Sequence, residues 1–461
     1  MMKRTCLFLL VLLCAAAFCF AQRSGGASGK TVVKLGIWPE DIAPGEIAMH
    51  EGFVKKFNAK FPNITIQPAN YRYATDTFVP MAEAKMVPTI FETWFSEPQK
   101  LIAGGFVKDI TAELKAKGLD AKMNEAVKNL LSRNGRIYGI PRDAYVLGIM
   151  INVELFREAG LVDRNGIPLY PKTWEELAKT AQTIKQKTGS AGLCLLAKDN
   201  GGGWHFTNIA WGFGAVFMTQ RGGKWTANIN SPEAVAAMQY VKDLKWQYNV
   251  LTPDPTNESW ATGFQAIGVG KAAMYIAAQD AVNQPTMVNG LPVNELALVP
   301  MPAGPKGRYA LMGGTPYMFA SNATTAEVNA ALDYLEIMGR LPVVNPDTIA
   351  GMRADAKMRR EQGVPIIDTF PVWTDAAFIK AQKDANAAYR NVDPRMYADY
   401  FALMTDSSYL KTEEPILAQD LYSELTKVLQ AVLTNRNADV QALMDRAQQN
   451  FQRMLDVQVN R

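Results

Sequence analysis

The sequence predicts an α/β protein built as two lobes, each with a mixed, mostly parallel sheet flanked by helices. Three observations predict it. The chain has 461 residues, 48% of them hydrophobic, and single cores stop growing near about 250–300 residues, so two cores are expected. Short β-rich runs alternate with helical patterns, the signature of crossover connections over a parallel sheet. No long run of like charge or low-complexity stretch interrupts the chain beyond the Gly/Ser segment at 24–29, so extensive disorder is not expected.

Residues 1–21 read as an export signal. Lys3 and Arg4 precede an apolar run over 6–20, and Cys19 and Ala21 are small residues at −3 and −1 of a cut before Gln22. The run is too short to span a bilayer comfortably as a mature helix. Cys19 is the alternative, as a lipid-bearing first residue with 23–29 as a tether, but Phe18 directly before it departs from the usual lipoprotein pattern. Plain cleavage is therefore expected, with residues 22–30 flexible. Removing Lys3 and Arg4 leaves 46 basic against 44 acidic residues, too weak a bias for a nucleic-acid surface. Only Cys194 lies clearly in the mature chain, so no internal disulfide is expected.

Taken in order, the mature elements begin with a strand at 31–37, an amphipathic helix at 46–57 and a second strand at 64–67 after Pro62-Asn63. A buried strand at 88–91 follows, then a break at Gly104-Gly105. Thr173 as N-cap, with Glu176 three residues on, opens a helix running to 187. Ser231-Pro232 opens another, with proline at the first helical position. From 413 to 457 the pattern is almost entirely helical. No internal repeat is present.

Candidate binding residues come from aromatic and polar groups outside the apolar stripes. Trp38, Trp94, Trp204, Trp211, Trp260 and Trp373 lie in stretches rich in Gly or polar residues. A sugar ring has an apolar C–H face and a rim of hydroxyls, so it suits an aromatic platform edged by amides and carboxylates. The 199–208 stretch has that mixture, with Gly201–Gly203 permitting an unusual backbone path and Trp204 and His205 facing a ligand. The alternative for each tryptophan is core packing. Polar candidates are Asp143 and Tyr145, Gln279 and Asp280, and Gly314, Thr315 and Tyr317, where the Gly pair opens backbone to a ligand. Asp76 and Glu97 are candidates whose alternative is solvated surface charge. Arg72 and Arg142 could clamp a charged ligand end.

No Gly-x-Ser-x-Gly elbow, Walker-type lysine or His-Glu-x-x-His appears. With only His50 and His205, a histidine-rich metal site is not expected. The adjacent acid pairs Glu40-Asp41 and Glu413-Glu414 do not by themselves supply the opposed carboxylates of a glycosidase.

Several blocks occur in a telling order. They are Arg136-Ile-Tyr-Gly-Ile-Pro141, Val146-Leu-Gly-Ile-Met-Ile-Asn152, Leu155-Phe-Arg-Glu-Ala-Gly160 and Pro171-Lys-Thr-Trp-Glu-Glu-Leu177, then residues 264–276 and Gly313-Gly314. Any one block is weak. The ordered set, over nearly the whole mature chain, resembles bacterial extracellular solute-binding proteins of the sugar-binding class. The resemblance implies a periplasmic-binding-protein-like fold of type II, as in maltose-binding protein, with ligand held between lobes joined by hinge crossings. It puts the crossings near 141–148, 299–302 and 341–346. The first lobe is then 31–141 with 299–341, and the second 142–298 with 342–461. It also implies a monomeric, non-catalytic, periplasmic carrier without cofactor, taking a carbohydrate to ABC permease subunits. By position, Trp94, Trp204, Asp280 and the Gly313-Gly314 turn match places where the family touches ligand. A ligand-sensing subunit of a signalling system, or a secreted carbohydrate-active enzyme, are the alternatives.

Overall fold

A computed structural model describes residues 30–40 and 44–460. The expected export signal and Cys19 lie outside the described residues.

The main sheet collects nine strands. They are β1 (Thr31–Gly36), β2 (Ile64–Pro68), β3 (Ile90–Glu92), β4 (Gly139–Asn152), β5 (Ala191–Cys194), β6 (Ala272–Ala278), β7 (Leu296–Pro300), β8 (Ala310–Phe319) and β9 (Leu410–Lys411). Their order is β2-β1-β3-β8-β4-β6-β5, with β7 added to β4 and β9 to β8. β1 pairs in parallel with β2 and β3, β5 with β6, and β8 with β9, while β4 runs antiparallel to β6, β7 and β8, and β8 antiparallel to β3. The α/β expectation is borne out.

β4 is the pivot of this arrangement. Its first half, 139–146, pairs with β8 in the half-sheet that holds β1–β3. Its second half, 147–152, pairs with β6 and β7. Fourteen residues let one strand serve two half-sheets. β5 and β6 are buried at every position, as strands covered on both faces must be, which explains their unbroken apolar runs.

The helices are α1 (Pro44–Lys60), α2 (Trp174–Thr188), α3 (Asp199–Phe213), α4 (Pro232–Trp246), α5 (Trp260–Gly268), α6 (Thr325–Ile337), α7 (Pro346–Glu361), α8 (Ala376–Tyr389), α9 (Ala418–Thr434) and α10 (Val440–Gln458), with shorter turns between them. The read caps form. Thr173 Oγ1 accepts from the Glu176 amide at 3.1 Å, and Ser231 Oγ accepts from the Ala234 amide at 3.3 Å. Glu176 reaches back to the Lys172 amide at 2.7 Å, one residue before the place a capping box requires. α1 buries Phe57 against Tyr334 of α6, ring centroids 5.8 Å apart, covering the β1 side of the sheet.

Two expectations change. Residues 199–208 form the start of α3, not a loop. The Gly201–Gly203 run serves close helix packing: a Cβ on Gly203 would sit 2.1 Å from the Tyr422 carbonyl oxygen of α9. The returns between half-sheets also fall later in the chain. β7 stays paired with 148–152 through Pro300, and β8 makes the passage. Leu341–Pro346 proves to be a helix-to-helix turn, because Asn345 caps α7 and Pro346 opens it. Past α7, Met123 pairs with Trp373, and Lys122 forms an ion pair with Asp375 at 3.0 Å. Residues 342–389 therefore lie against the β1–β3 half. The chain reaches the other half where Tyr397 and Tyr400 donate to the carbonyls of Leu296 and Val146.

Candidate functional site

β4 and β8 are buried almost throughout, and the exceptions locate the site. On β4 they are Arg142, Asp143 and Tyr145; on β8 the exception is Thr315. The register shifts between Thr315 and Pro316, opposite Asp143 and Pro141. Prolines on facing strands remove ladder donors, and the resulting bulge re-aims nearby side chains. Arg142 ties the group together. It bonds Asp143 at 2.7 Å, Glu92 at 2.8 Å and Thr315 Oγ1 at 3.3 Å, while the Thr315 amide donates to Asp143 Oδ1 at 3.2 Å.

The Gly313-Gly314 pair serves packing. A Cβ at Gly313 would meet the Tyr145 ring at 2.4 Å, and one at Gly314 the Phe95 ring at 2.7 Å. Gly314 thus makes room for a neighbouring ring and for the Asp143 carbonyl, whose oxygen the same Cβ would meet at 2.5 Å. Tyr317 is buried below the site. Gln279 is buried as well. Its amide nitrogen donates to the Ala144 carbonyl at 3.0 Å, and its oxygen accepts from the Val146 amide at 3.2 Å and from the Tyr400 hydroxyl. It staples the end of β6 to β4.

The aromatic candidates separate by exposure. Trp94 and Trp260 are 46% and 40% exposed, and Trp204 is half-buried. Trp204 stands 6.1 Å from Trp260 and 6.3 Å from Tyr145, centroid to centroid, and stacks on His205 at 5.0 Å. Trp94 meets Tyr73 edge-on at 5.5 Å. His205 itself is fully buried, and burial pulls its pKa down to about 3; it backs Trp204 and does not face outward. Trp211 is buried beside Glu414, its indole 3.4 Å from a carboxylate oxygen. Trp373 is a core residue whose indole donates to the Arg340 carbonyl at 3.1 Å. Trp38 packs on His50 at 5.3 Å, and its carbonyl accepts from Arg72, which also holds Glu40 at 2.9 Å.

The carboxylates give the site its electrostatics. Asp280, exposed at the end of β6, is pushed up to about 7 by desolvation and by the charge of Asp143. Glu413 is raised to about 7 by burial, against hydrogen bonds from Tyr422 and Trp204 that favour its charged form. Glu414 is also raised to about 7, by burial. Glu97 is buried, accepting from the Tyr73 hydroxyl at 2.5 Å, and its charge reaches Glu413. One residue before it, Ser96 Oγ accepts from Gln419 of α9 at 3.1 Å, a direct contact across the cleft. Asp76 is exposed.

Sequence reading missed Glu413, Gln419 and Tyr422 because they arrive from the far end of the chain. The available signal was the Glu413-Glu414-Pro415 run, where a proline interrupts the helical pattern. Hollows of about 200 Å³ beside Ile367 and Tyr397 and about 510 Å³ beside Lys185 and Lys271 lie elsewhere; neither includes Trp204, Asp143 or Asp280. Among the described residues no three His, Cys, Asp or Glu side chains are placed to hold a metal ion. What the cleft offers is flat aromatic surface, fixed acceptors and one pinned guanidinium.

The family model for bacterial extracellular solute-binding proteins matches residues 43–339. The arabinooligosaccharide-binding protein of Bacillus subtilis (strain 168) is 26% identical over 262 residues, 53% of this chain and 55% of that protein. The chain thus spans about half the length of the curated relatives it matches. Among solved structures, an ABC transporter solute-binding protein of Thermotoga lettingae bound with α-D-tagatose superposes with a TM-score of 0.71 at 18% identity, covering 92% of this chain and 100% of that one. A maltose-bound protein of T. maritima gives 0.68 at 19%, covering 92% and 99%. At these identities the likeness is one of fold.

Proposed function

The chain belongs to the bacterial extracellular solute-binding proteins, and from that premise we propose that it is an exported, non-catalytic carrier that captures a carbohydrate between its two halves for an ABC-type importer. What supports this reading is the exposed or half-buried indoles of Trp260 and Trp204, 6.1 Å apart and beside Tyr145, together with Asp143 and Thr315 on the two strands that join the half-sheets; Trp94 and Asp280 are proposed to complete the site. A pyranose face stacks on an indole, and its hydroxyls donate to carboxylates or accept from backbone and guanidinium donors. Tyr145 borders the same space. Contacts to both halves are stronger when the halves close, so ligand shifts the population toward the closed form. The bends are expected where β4 and β8 pass between half-sheets, and permease subunits would distinguish loaded from empty carrier by shape. The carrier acts as a monomer in the periplasm, with its mature end at Gln22 or lipid-anchored through Cys19.

A thermal-shift screen of the mature protein against sugars, oligosaccharides, polyols, amino acids and short peptides tests this. A ligand bound only by the folded state, at a hundredfold excess over its Kd, adds about 2.7 kcal/mol of stability. A shift with a carbohydrate class that is then recovered unaltered is the expected result. No shift with carbohydrates, or recovery of cleaved product, contradicts the carrier reading.

A further inference from the structure

We propose that the cleft selects a carbohydrate bearing a protonated amine, seated against the Tyr145 and Trp204 rings and balanced by the carboxylates of Asp280 and Glu413. This rests on the carrier reading and deepens it.

The charge balance around Tyr145 is one-sided. Tyr145 is half-buried, and the three charges that act on its phenol are the carboxylates of Glu413, Asp280 and Asp143. They come from different elements: Asp143 from β4, Asp280 from the turn after β6, and Glu413 from the segment before α9. Arg142, next to Asp143 in the chain, is already committed to Asp143 and Glu92. Lys100 approaches Glu97 at 3.9 Å. Among the described residues, neither Asp280 nor Glu413 takes part in an ion pair; the donors to Glu413 are the neutral Tyr422 hydroxyl and Trp204 indole.

Glu413 is buried with only neutral donors, while Asp280 is exposed within the field of Arg142; a buried carboxylate without a cation is costly unless a ligand supplies one. A bare metal ion is not that cation. It needs several oxygens at about 2.0–2.6 Å, and among the described residues no three His, Cys, Asp or Glu side chains are placed to hold one. Gln279 bonds the backbone on either side of Tyr145, which sets Asp280 next to that ring, and the Trp204 indole stands 6.3 Å from it. Carboxylates from three elements beside two aromatic rings suit an ammonium carried on a larger molecule. The ammonium gains both charge-assisted hydrogen bonds and attraction to the aromatic faces. A neutral hydroxyl in the same place would still bond the carboxylates but would bring no countercharge.

Titration calorimetry at pH 7.5 with matched pairs decides it: glucosamine against glucose, galactosamine against galactose, and the β-1,4-linked glucosamine disaccharide against cellobiose. The expected result is an amino member binding about tenfold or more tighter than its neutral partner, with the preference collapsing toward unity in Asp280→Asn and Glu413→Gln. Both substitutions keep size, and their melting midpoints verify folding. Equal or tighter binding of the neutral members overturns the proposal. So does a preference that survives both substitutions. If only carbohydrates outside the amino set bind, the amine is overturned and the carrier reading stands; if no carbohydrate binds, both fall.

Discussion

Glu413 concentrates the electrostatic cost of the cleft in one side chain. Its pKa is raised from 4.5 to about 7, so the folded state holds a proton that the unfolded chain releases. Its contribution is fully present below about pH 4.5 and is lost as pH rises through about 7. Glu413→Gln should therefore match the parent near pH 4.5 and exceed it at pH 8 by on the order of 1–3 kcal/mol, read as melting midpoints across pH. A variant no more stable at pH 8 would mean the carboxylate is better solvated than its burial indicates. His205 acts in the opposite sense: with its pKa lowered to about 3, it withdraws stability as pH falls from 6.5 toward 3. The tryptophans show what a sequence reveals at this scale. Their local composition marked all of them alike, but exposure separates Trp94, Trp204 and Trp260 from Trp211 and Trp373, and exposure depends on partners distant in sequence. Trp204→Ala should weaken carbohydrate binding by about 1–3 kcal/mol, beyond the stability lost with its bond to Glu413 and its stacking on His205. Trp373→Ala should cost about 3–5 kcal/mol of stability and leave affinity unchanged. Denaturant unfolding beside titration calorimetry separates the two.

Among the elements, those with local signals were legible and those specified by a partner were not. Thr173 and Ser231 begin α2 and α4 because a hydroxyl one residue before an apolar stripe satisfies an amide of the first turn. Residues 201–203 misled because three glycines have low helix propensity, and propensity says nothing of a neighbour's backbone pressed against them. Gly203→Ala tests that explanation. Propensity alone would stabilise α3 by about 1 kcal/mol, but the added methyl would stand 2.1 Å from the Tyr422 oxygen. Overpacking of this kind costs about 1–3 kcal/mol, so a lower denaturation midpoint is expected; a higher one would show that α9 yields readily.

At the scale of the whole molecule, the α/β class and the mixed sheet follow from alternation and length, which are properties of the chain read end to end. The expected crossings fare differently as elements of the sheet. The stretch around Pro141–Gly148 lies within β4, whereas the later passages occur through β8 and around residues 390–400, where no local turn signal distinguishes a crossing from a helix connection. Capture between the halves requires that these passages bend. The most direct measurement is small-angle scattering of the mature protein, empty and saturated with the carbohydrate giving the largest thermal shift. The account predicts a smaller radius of gyration when loaded, together with tighter long-range distances. Superimposable profiles for empty and saturated protein would contradict closure around the ligand.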